Sequence, residues 1–311
     1  MEWYFILIII ITILLLLIIS ISYICFYKTF YNKNIKPKDG LIDIPDDDIF
    51  RDFKDVILKD IKEVSTYPHT HIYITSFDGL KLHGRYFERF PNAPLEIMFH
   101  GYRGNSTRDM STGVKRAFAC GRNALIVDQR ASGDSEGHVI SFGINERRDC
   151  LAWVKYVCDN FGEEQKIILT GVSMGAATVM NASSMDLPSN VIGILADCGY
   201  NKPEDIIKKC VKDMKLPPNL CYPFIKLGAR IFGKFNLDEA NPIDSIKKCK
   251  LPVIFIHGDK DDFVPHYMSV KLYEACNSKK QFVSIKNAAH GISYLADPVT
   301  YIEELNKFFV N

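Results

Sequence analysis

Residues 171–176 read Gly-Val-Ser-Met-Gly-Ala, with the apolar run KIILT (166–170) before them and ATVM (177–180) after them. A β-branched run that gives way at once to a helix-forming one puts Ser173 on a strand-to-helix turn. Small residues at Gly171 and Gly175 let the strand and the helix approach closely, while the serine side chain projects from the turn. G-x-S-x-G alone is a short pattern, equally the mark of an ordinary glycine turn. At the end of a buried strand and the start of a helix it has the context of a nucleophile elbow.

Outward from this turn, short apolar runs alternate with helical patterns. HIYITSF and LKLHGRYFE flank Asp78-Gly79 and read as a hairpin. The runs LEIMFHG, NALIVDQR, KIILTGVS, VIGILADCG, PVIFIHGD and QFVSIKNA follow, rich in the branched residues of strands buried on both faces. Between them, helical spacing predicts helices over 107–120, 145–161, 175–185, 265–276 and 297–309. Strand–helix alternation of this kind implies an α/β fold with a mostly parallel sheet and helices on both faces. Residues 200–245, rich in proline and aromatic residues, interrupt the rhythm between the sixth and seventh core strands. An insertion there is expected to form a small helical lid over the C-terminal edge of the sheet, where open α/β sheets bind ligands.

The N-terminus belongs to a different solvent class. No charged residue occurs from Trp3 to Tyr27, and about 20 apolar residues suffice to cross a bilayer. Trp3, Tyr4, Tyr23 and Tyr27 stand near the ends of the run, where amphipathic rings favour the interface. The start MEWY lacks the basic residues of a secretory signal, so residues 3–27 read as an uncleaved single-span anchor. Lys28, Lys33, Lys36 and Lys38 all follow the span, which places the remaining chain on the cytoplasmic side. Residues 28–66 read as a juxtamembrane linker and an amphipathic helix, and 67–311 as the catalytic domain.

The formal net charge of the 311 residues is +1, and no basic stripe with interleaved aromatics appears, which argues against nucleic-acid binding. Nine scattered cysteines include no CxxC pair and no zinc-like Cys/His spacing, so they read as reduced thiols. The N-x-[ST] sequons at Asn105 and Asn181 fall inside segments read as catalytic or packed. No organic cofactor and no metal is expected.

A serine hydroxyl is a poor nucleophile until a base takes its proton. Among eight histidines only His290, in NAAHG after the last strand, lies late enough in such a loop. His257, in FIHGD, reads as a packed strand-end residue, and His100 as structural. The acid that orients the base is sought in HGDKDDFVP, where G-x-x-D-x-x-V-P selects Asp261 over Asp259 and Asp262. Asp197, in LADCG, is the alternative. Two backbone amides are expected to hold the developing oxyanion: that of Met174, just after the serine, and that of Tyr102 in HGYRGN. HGYRGN lacks the lysine and spacing of a phosphate-binding loop.

HGYRGN (100–105), DQRASGDSEG (128–137), GVSMGA (171–176), HGDKDDFVP (257–265) and AAHG (288–291) occur in the family order. In these motifs the chain from about residue 70 to 311 resembles the α/β-hydrolase superfamily. The branch it resembles is the membrane-anchored bacterial type related to serine aminopeptidase-like and dienelactone hydrolase-like esterases. In that family D-x-R-G-x-G-x-S forms a structural turn; Asp128, Arg130, Gly133 and Ser135 match it, and Ala131 replaces its first glycine. The resemblance implies an eight-stranded α/β-hydrolase fold behind one transmembrane helix. It further implies a Ser173–His290–Asp261 triad that cleaves a carboxylic ester (class 3.1.1) or a related acyl bond through an acyl-enzyme. The same triad serves peptidases and thioesterases, and a non-catalytic membrane scaffold is the remaining alternative. The expected partners are a small or lipid-like acyl substrate and the membrane.

Overall fold

The structure, a computed structural model, describes residues 2–34 and 51–309. A long helix α1 (Glu2–Thr29) comes first. Its stretch from Trp3 to Thr29 holds an 18-residue window with a mean hydropathy of 3.3 and is long and apolar enough by length and composition to cross a membrane. It continues two residues past the run read as the span. Residues 35–50 of the segment read as a linker lie outside the described residues. Helix α2 (Lys54–Ser65) buries Ile57, Ile61 and Val64 on one face, which is the amphipathic helix expected there.

Eight strands form one sheet in the order β1-β2-β4-β3-β5-β6-β7-β8. The hairpin of β1 (Thr70–Thr75) and β2 (Lys81–Phe87) is antiparallel, and β2 joins β4 (Asn123–Val127) antiparallel as well. The other strands run parallel: β3 (Leu95–Phe99), β5 (Ile167–Val172), β6 (Val191–Asp197), β7 (Val253–Gly258) and β8 (Lys280–Ile285). Helices α3 (Ser106–Ala119), α4 (Glu146–Phe161), α5 (Met174–Ala182), α9 (Tyr267–Ala275), α10 (Ser293–Ala296) and α11 (Pro298–Phe309) surround this sheet. The predicted helices match five of these six to within a few residues; the short α10 was not anticipated.

Every residue of β3, β4 and β7 is buried. These strands are covered on both faces, which is why they read as unbroken apolar runs rather than alternating ones. One layer centres on Leu125, Trp153 and Leu169, and another on Met98, Val114 and Ile126. Residues 200–245 carry α6 (Pro203–Asp213), α7 (Pro218–Ile231) and the start of α8 (Pro242–Lys248), with no strand among them.

One carboxylate lies at the centre of the fold. Glu96, on β3, is fully buried and accepts two hydrogen bonds from Arg116 at 2.9 and 2.6 Å, one from Arg122 at 2.9 Å and one from Thr170 at 2.8 Å. Burial pushes its carboxyl up, but the two guanidinium groups outweigh burial and bring it from the ordinary 4.5 to about 2. A carboxyl held lower in the folded state than in the unfolded chain contributes stability above the unfolded value and loses it as pH falls towards the folded one. We therefore expect stability to decline as pH drops from 4.5 towards about 2, a decline that Glu96→Gln should flatten in denaturant titrations at several pH values. Near neutral pH, Glu96→Ala should cost about 3–5 kcal/mol, because two buried cations lose their partner.

Candidate active site

Ser173 occupies the single residue between β5 and α5, with φ +56° and ψ −115°. A non-glycine residue seldom adopts this backbone, and it survives only where the surroundings enforce it. Gly171 and Gly175 provide the enforcement. A Cβ on Gly171 would lie 2.2 Å from the Gly175 carbonyl carbon, and one on Gly175 only 1.9 Å from the Phe99 carbonyl oxygen. Strand, turn and helix are thus pressed together over β3. The Ser173 amide donates to the Asp197 carbonyl at 2.8 Å and pins the turn to β6.

The turn after β8 brings in His290. Its Nε2 lies 2.9 Å from Ser173 Oγ, and its Nδ1 lies 2.7 Å from Asp261 Oδ2. An ionised carboxylate only accepts, so Nδ1 carries the proton and Nε2 faces the serine hydroxyl as an acceptor. Asp261, in the turn after β7, takes the Phe263 and Val264 amides on Oδ1 at 3.0 and 2.8 Å. Burial pushes its carboxyl up; hydrogen bonds from His257 and His290 overcome this and bring it to about 2. A hydroxyl linked in this way to an imidazole and a buried carboxylate can surrender its proton to the imidazole.

The structure brings Ser173, His290 and Asp261 together and leaves Asp197 apart. Asp197 is buried beneath the site, where its oxygens accept from Ser293 Oγ at 3.1 Å and Tyr301 Oη at 2.9 Å. Burial raises its carboxyl. Met174 is the first residue of α5, so its amide is one of the helix N–H groups that lack an intrahelical acceptor. The loop that carries Tyr102 follows β3, the neighbour of β5. A Cβ on Gly101 would approach Ser173 Cβ to 3.6 Å, so this backbone crosses directly over the serine. His100 ties the loop down: its Nε2 accepts the Gln129 amide at 3.0 Å, and its carbonyl accepts from Gln129 Nε2 at 2.6 Å.

His257 is the residue whose contribution the sequence reading missed. It is fully buried, and its Nε2 lies 3.0 Å from Asp261 Oδ2 and 2.9 Å from the Val264 carbonyl. Both are acceptors, so Nε2 carries a proton shared between them. Nδ1 meets Ser269 Oγ at 2.6 Å. His257 therefore fixes the carboxylate that fixes His290. The available signal was a histidine within an apolar strand run, four residues before an acid, since a buried imidazole requires a partner.

Among the described residues, Cys198, Asp261 and His290 offer ligand atoms close enough to share a metal ion, as do His83, Asp128 and Asp134. In the first group the other two members are engaged with Ser173 and His257, and burial pushes the Cys198 thiol well up, towards its protonated, weakly ligating form. In the second, Asp128 bonds His83 Nδ1 at 2.9 Å and the amides of Ser106 and Asp134, as a structural turn requires.

The solved structure of the Pyrococcus furiosus esterase Pf2001 superposes on this fold with a TM-score of 0.63 at 24% identity, covering 79% of this chain and 93% of that one. The Arabidopsis thaliana protein WAV2, described as an α/β-hydrolase domain-containing protein, is 24% identical over 246 residues, 74% of this chain and 75% of its own. The chain thus has the α/β-hydrolase fold. The chain is also 28% identical over 192 residues to the Bacillus subtilis protein YqkD, described as uncharacterised. That match covers 61% of this chain and 63% of YqkD, less than two thirds of the relative's length. No protein-family model matches the chain.

The role of His257 can be measured at Ser173 itself. His257→Ala is expected to slow fluorophosphonate labelling of Ser173 about tenfold through loss of one bond to a charged group, with the melting temperature measured alongside.

Proposed function

We propose that the protein is a membrane-anchored serine hydrolase that cleaves carboxylic esters or closely related acyl bonds. The observation that carries this reading is the unbroken pair of hydrogen bonds from Ser173 through His290 to Asp261, at 2.9 and 2.7 Å, on a strained strand-to-helix turn.

Ser173 Oγ attacks the acyl carbonyl carbon while His290 Nε2 takes the hydroxyl proton. The tetrahedral oxyanion rests on the Met174 and Tyr102 amides, the former aided by the positive end of α5. The C–O bond to the leaving group breaks, His290 returns the proton to that oxygen, and an acyl-serine remains. Water, deprotonated by the same nitrogen, attacks the acyl-serine; the carboxylic acid departs and Ser173 regains its proton. Asp261 holds the imidazole in the required tautomer throughout and stabilises its charged form.

The helices of residues 200–245 serve as the lid of the site. Residues 3–27 serve as the anchor, with the catalytic domain on the cytoplasmic side, as the lysines that follow the span indicate. An acyl substrate, small or lipid-like, suits the apolar side chains gathered beside Met174.

The test is hydrolysis of p-nitrophenyl esters of increasing acyl length by the full chain in detergent. Turnover is expected, and Ser173→Ala should abolish it, by roughly 10⁵–10⁶-fold in kcat. Asp261→Asn should lower kcat about 10⁴-fold through the wrong histidine tautomer. Absence of both turnover and fluorophosphonate labelling at Ser173 would mark the chain as a scaffold that retains the fold. Labelling without ester turnover would direct the search to peptide or thioester substrates.

A further inference from the structure

Helix α1 divides into two parts. From Trp3 to Ile19 its large apolar side chains are mostly exposed, whereas Ser22 and Phe26, and Phe30 just past its end, are buried against the rest of the chain. The stretch from Trp3 to Ser20 rises about 27 Å, close to the hydrocarbon thickness of a bilayer, about 30 Å. Docking thus begins where the helix would leave the lipid.

The docked end meets α7 so closely that a Cβ on Gly228 would lie 2.3 Å from the Ser22 carbonyl oxygen and 3.0 Å from Phe26 Cβ. Phe30 then packs edge-on against Phe142 at 5.6 Å and Phe235 at 5.2 Å between ring centroids. Phe142 touches Tyr102 at 5.2 Å. Met174 belongs to the same apolar cluster. The end of the helix therefore shares one hydrophobic cluster with both residues proposed to hold the oxyanion.

Polar contacts make the link specific. The last carbonyls of a helix have no intrahelical donor. Here the loop over Ser173 supplies the donors: Tyr102 Oη donates to the Thr29 carbonyl at 2.7 Å, and Arg103 Nη2 to those of Lys28 at 2.8 Å and Tyr31 at 3.2 Å. Burial pushes the Tyr102 phenol up to about 12, so it remains a donor. Beyond the helix, Asn32 Nδ2 donates to the Ala131 carbonyl at 2.7 Å, and Asn34 Nδ2 to those of Gly133 and Ser135 at 3.0 and 3.1 Å.

We propose that the last two turns of α1 are a wall of the acyl-binding site and position its oxyanion loop, so that the enzyme acts on long-chain acyl esters drawn from a lipid layer. The proposal rests on the serine-hydrolase reading above. Thr29, which Tyr102 grips, stands about 10 Å along the helix from Ser22, within reach of an ester whose acyl chain still lies in the bilayer. On the lid, Met214, Leu216 and Leu220 are 68%, 50% and 64% exposed, beside the start of the helix that clasps α1. Large apolar side chains exposed together suit contact with lipid.

The experiment uses the full chain in phosphatidylcholine nanodiscs, with p-nitrophenyl butyrate and p-nitrophenyl palmitate as probes. Arg103→Ala alters an exposed side chain and should leave the melting temperature unchanged, yet lower kcat on both esters about tenfold with KM unaltered. Gly228→Leu, which pries α1 from α7, should lower kcat/KM on the palmitate at least tenfold more than on the butyrate. The proposal is overturned if both variants keep the wild-type kcat and the wild-type ratio between the two esters, since α1 is then only a tether. Fluorophosphonate labelling of Ser173 in the wild type separates this outcome from failure of the hydrolase reading. Labelling with an indifferent α1 sinks the proposal alone, whereas no labelling sinks both.

Discussion

The close approach of β5 and α5 governs the rest of the site. Two glycines, at positions 171 and 175, allow helix and strand to press together until any side chain at either place would overlap backbone. The only path left between them is a turn with a left-handed residue, and Ser173 is that residue. Its hydroxyl is lifted clear of the sheet, the first amides of α5 converge beside it, and the turns after β7 and β8 fall within reach. The energy stored in this backbone is held by packing elsewhere, in strands buried on both faces. Stability and reactivity are therefore drawn from one set of contacts.

A second constraint is electrostatic. Two of the buried carboxylates held in the ionised form serve different ends. Glu96, within the sheet, bonds Arg116 of α3 and Arg122 just before β4, and so ties α3 to β3. Asp261 faces two histidines and two amides, and the result sets the orientation of a third side chain's base. Each is costly to bury alone and stable only with every oxygen occupied. Asp197, equally buried, instead accepts from two hydroxyl groups, those of Ser293 and Tyr301.

Local patterns made most of the sheet legible. Strands buried on both faces give continuous branched runs, and the serine turn gives paired glycines; both depend on neighbours in sequence. The five motifs that bracket the strands located Ser173, Asp261 and His290 because each follows the end of a parallel strand, and such ends converge on one edge. His257 stayed hidden because its partners, Asp261 and Ser269, are fixed by three-dimensional packing, and an imidazole in a β-run looks like any other buried residue. The fate of the first residues was hidden more deeply. A stretch of leucine and isoleucine shows where water is excluded, but nothing in it reveals that Phe26 and Phe30 dock beside Tyr102 and Phe142, over a hundred residues away from the latter. Ala131 is instructive in the same way. It stands where the family turn has glycine and adopts φ +62°, with its carbonyl held by Asn32. A substitution that looks local is accommodated by a remote part of the chain.

The span between Ser173 and His290 is 117 residues, and the second of them follows the last strand of the sheet. Contacts of such separation close slowly, since the loop must be ordered before they return any energy. During synthesis the serine turn, the helices of residues 200–245 and Asp261 all leave the ribosome before β8 does. The contact between Ser173 and His290 therefore waits until β8 pairs with β7, and the edge of β7 is the surface left unprotected in the meantime. Strand order thus decides when these side chains meet: the strand that closes the sheet also delivers His290 to Ser173.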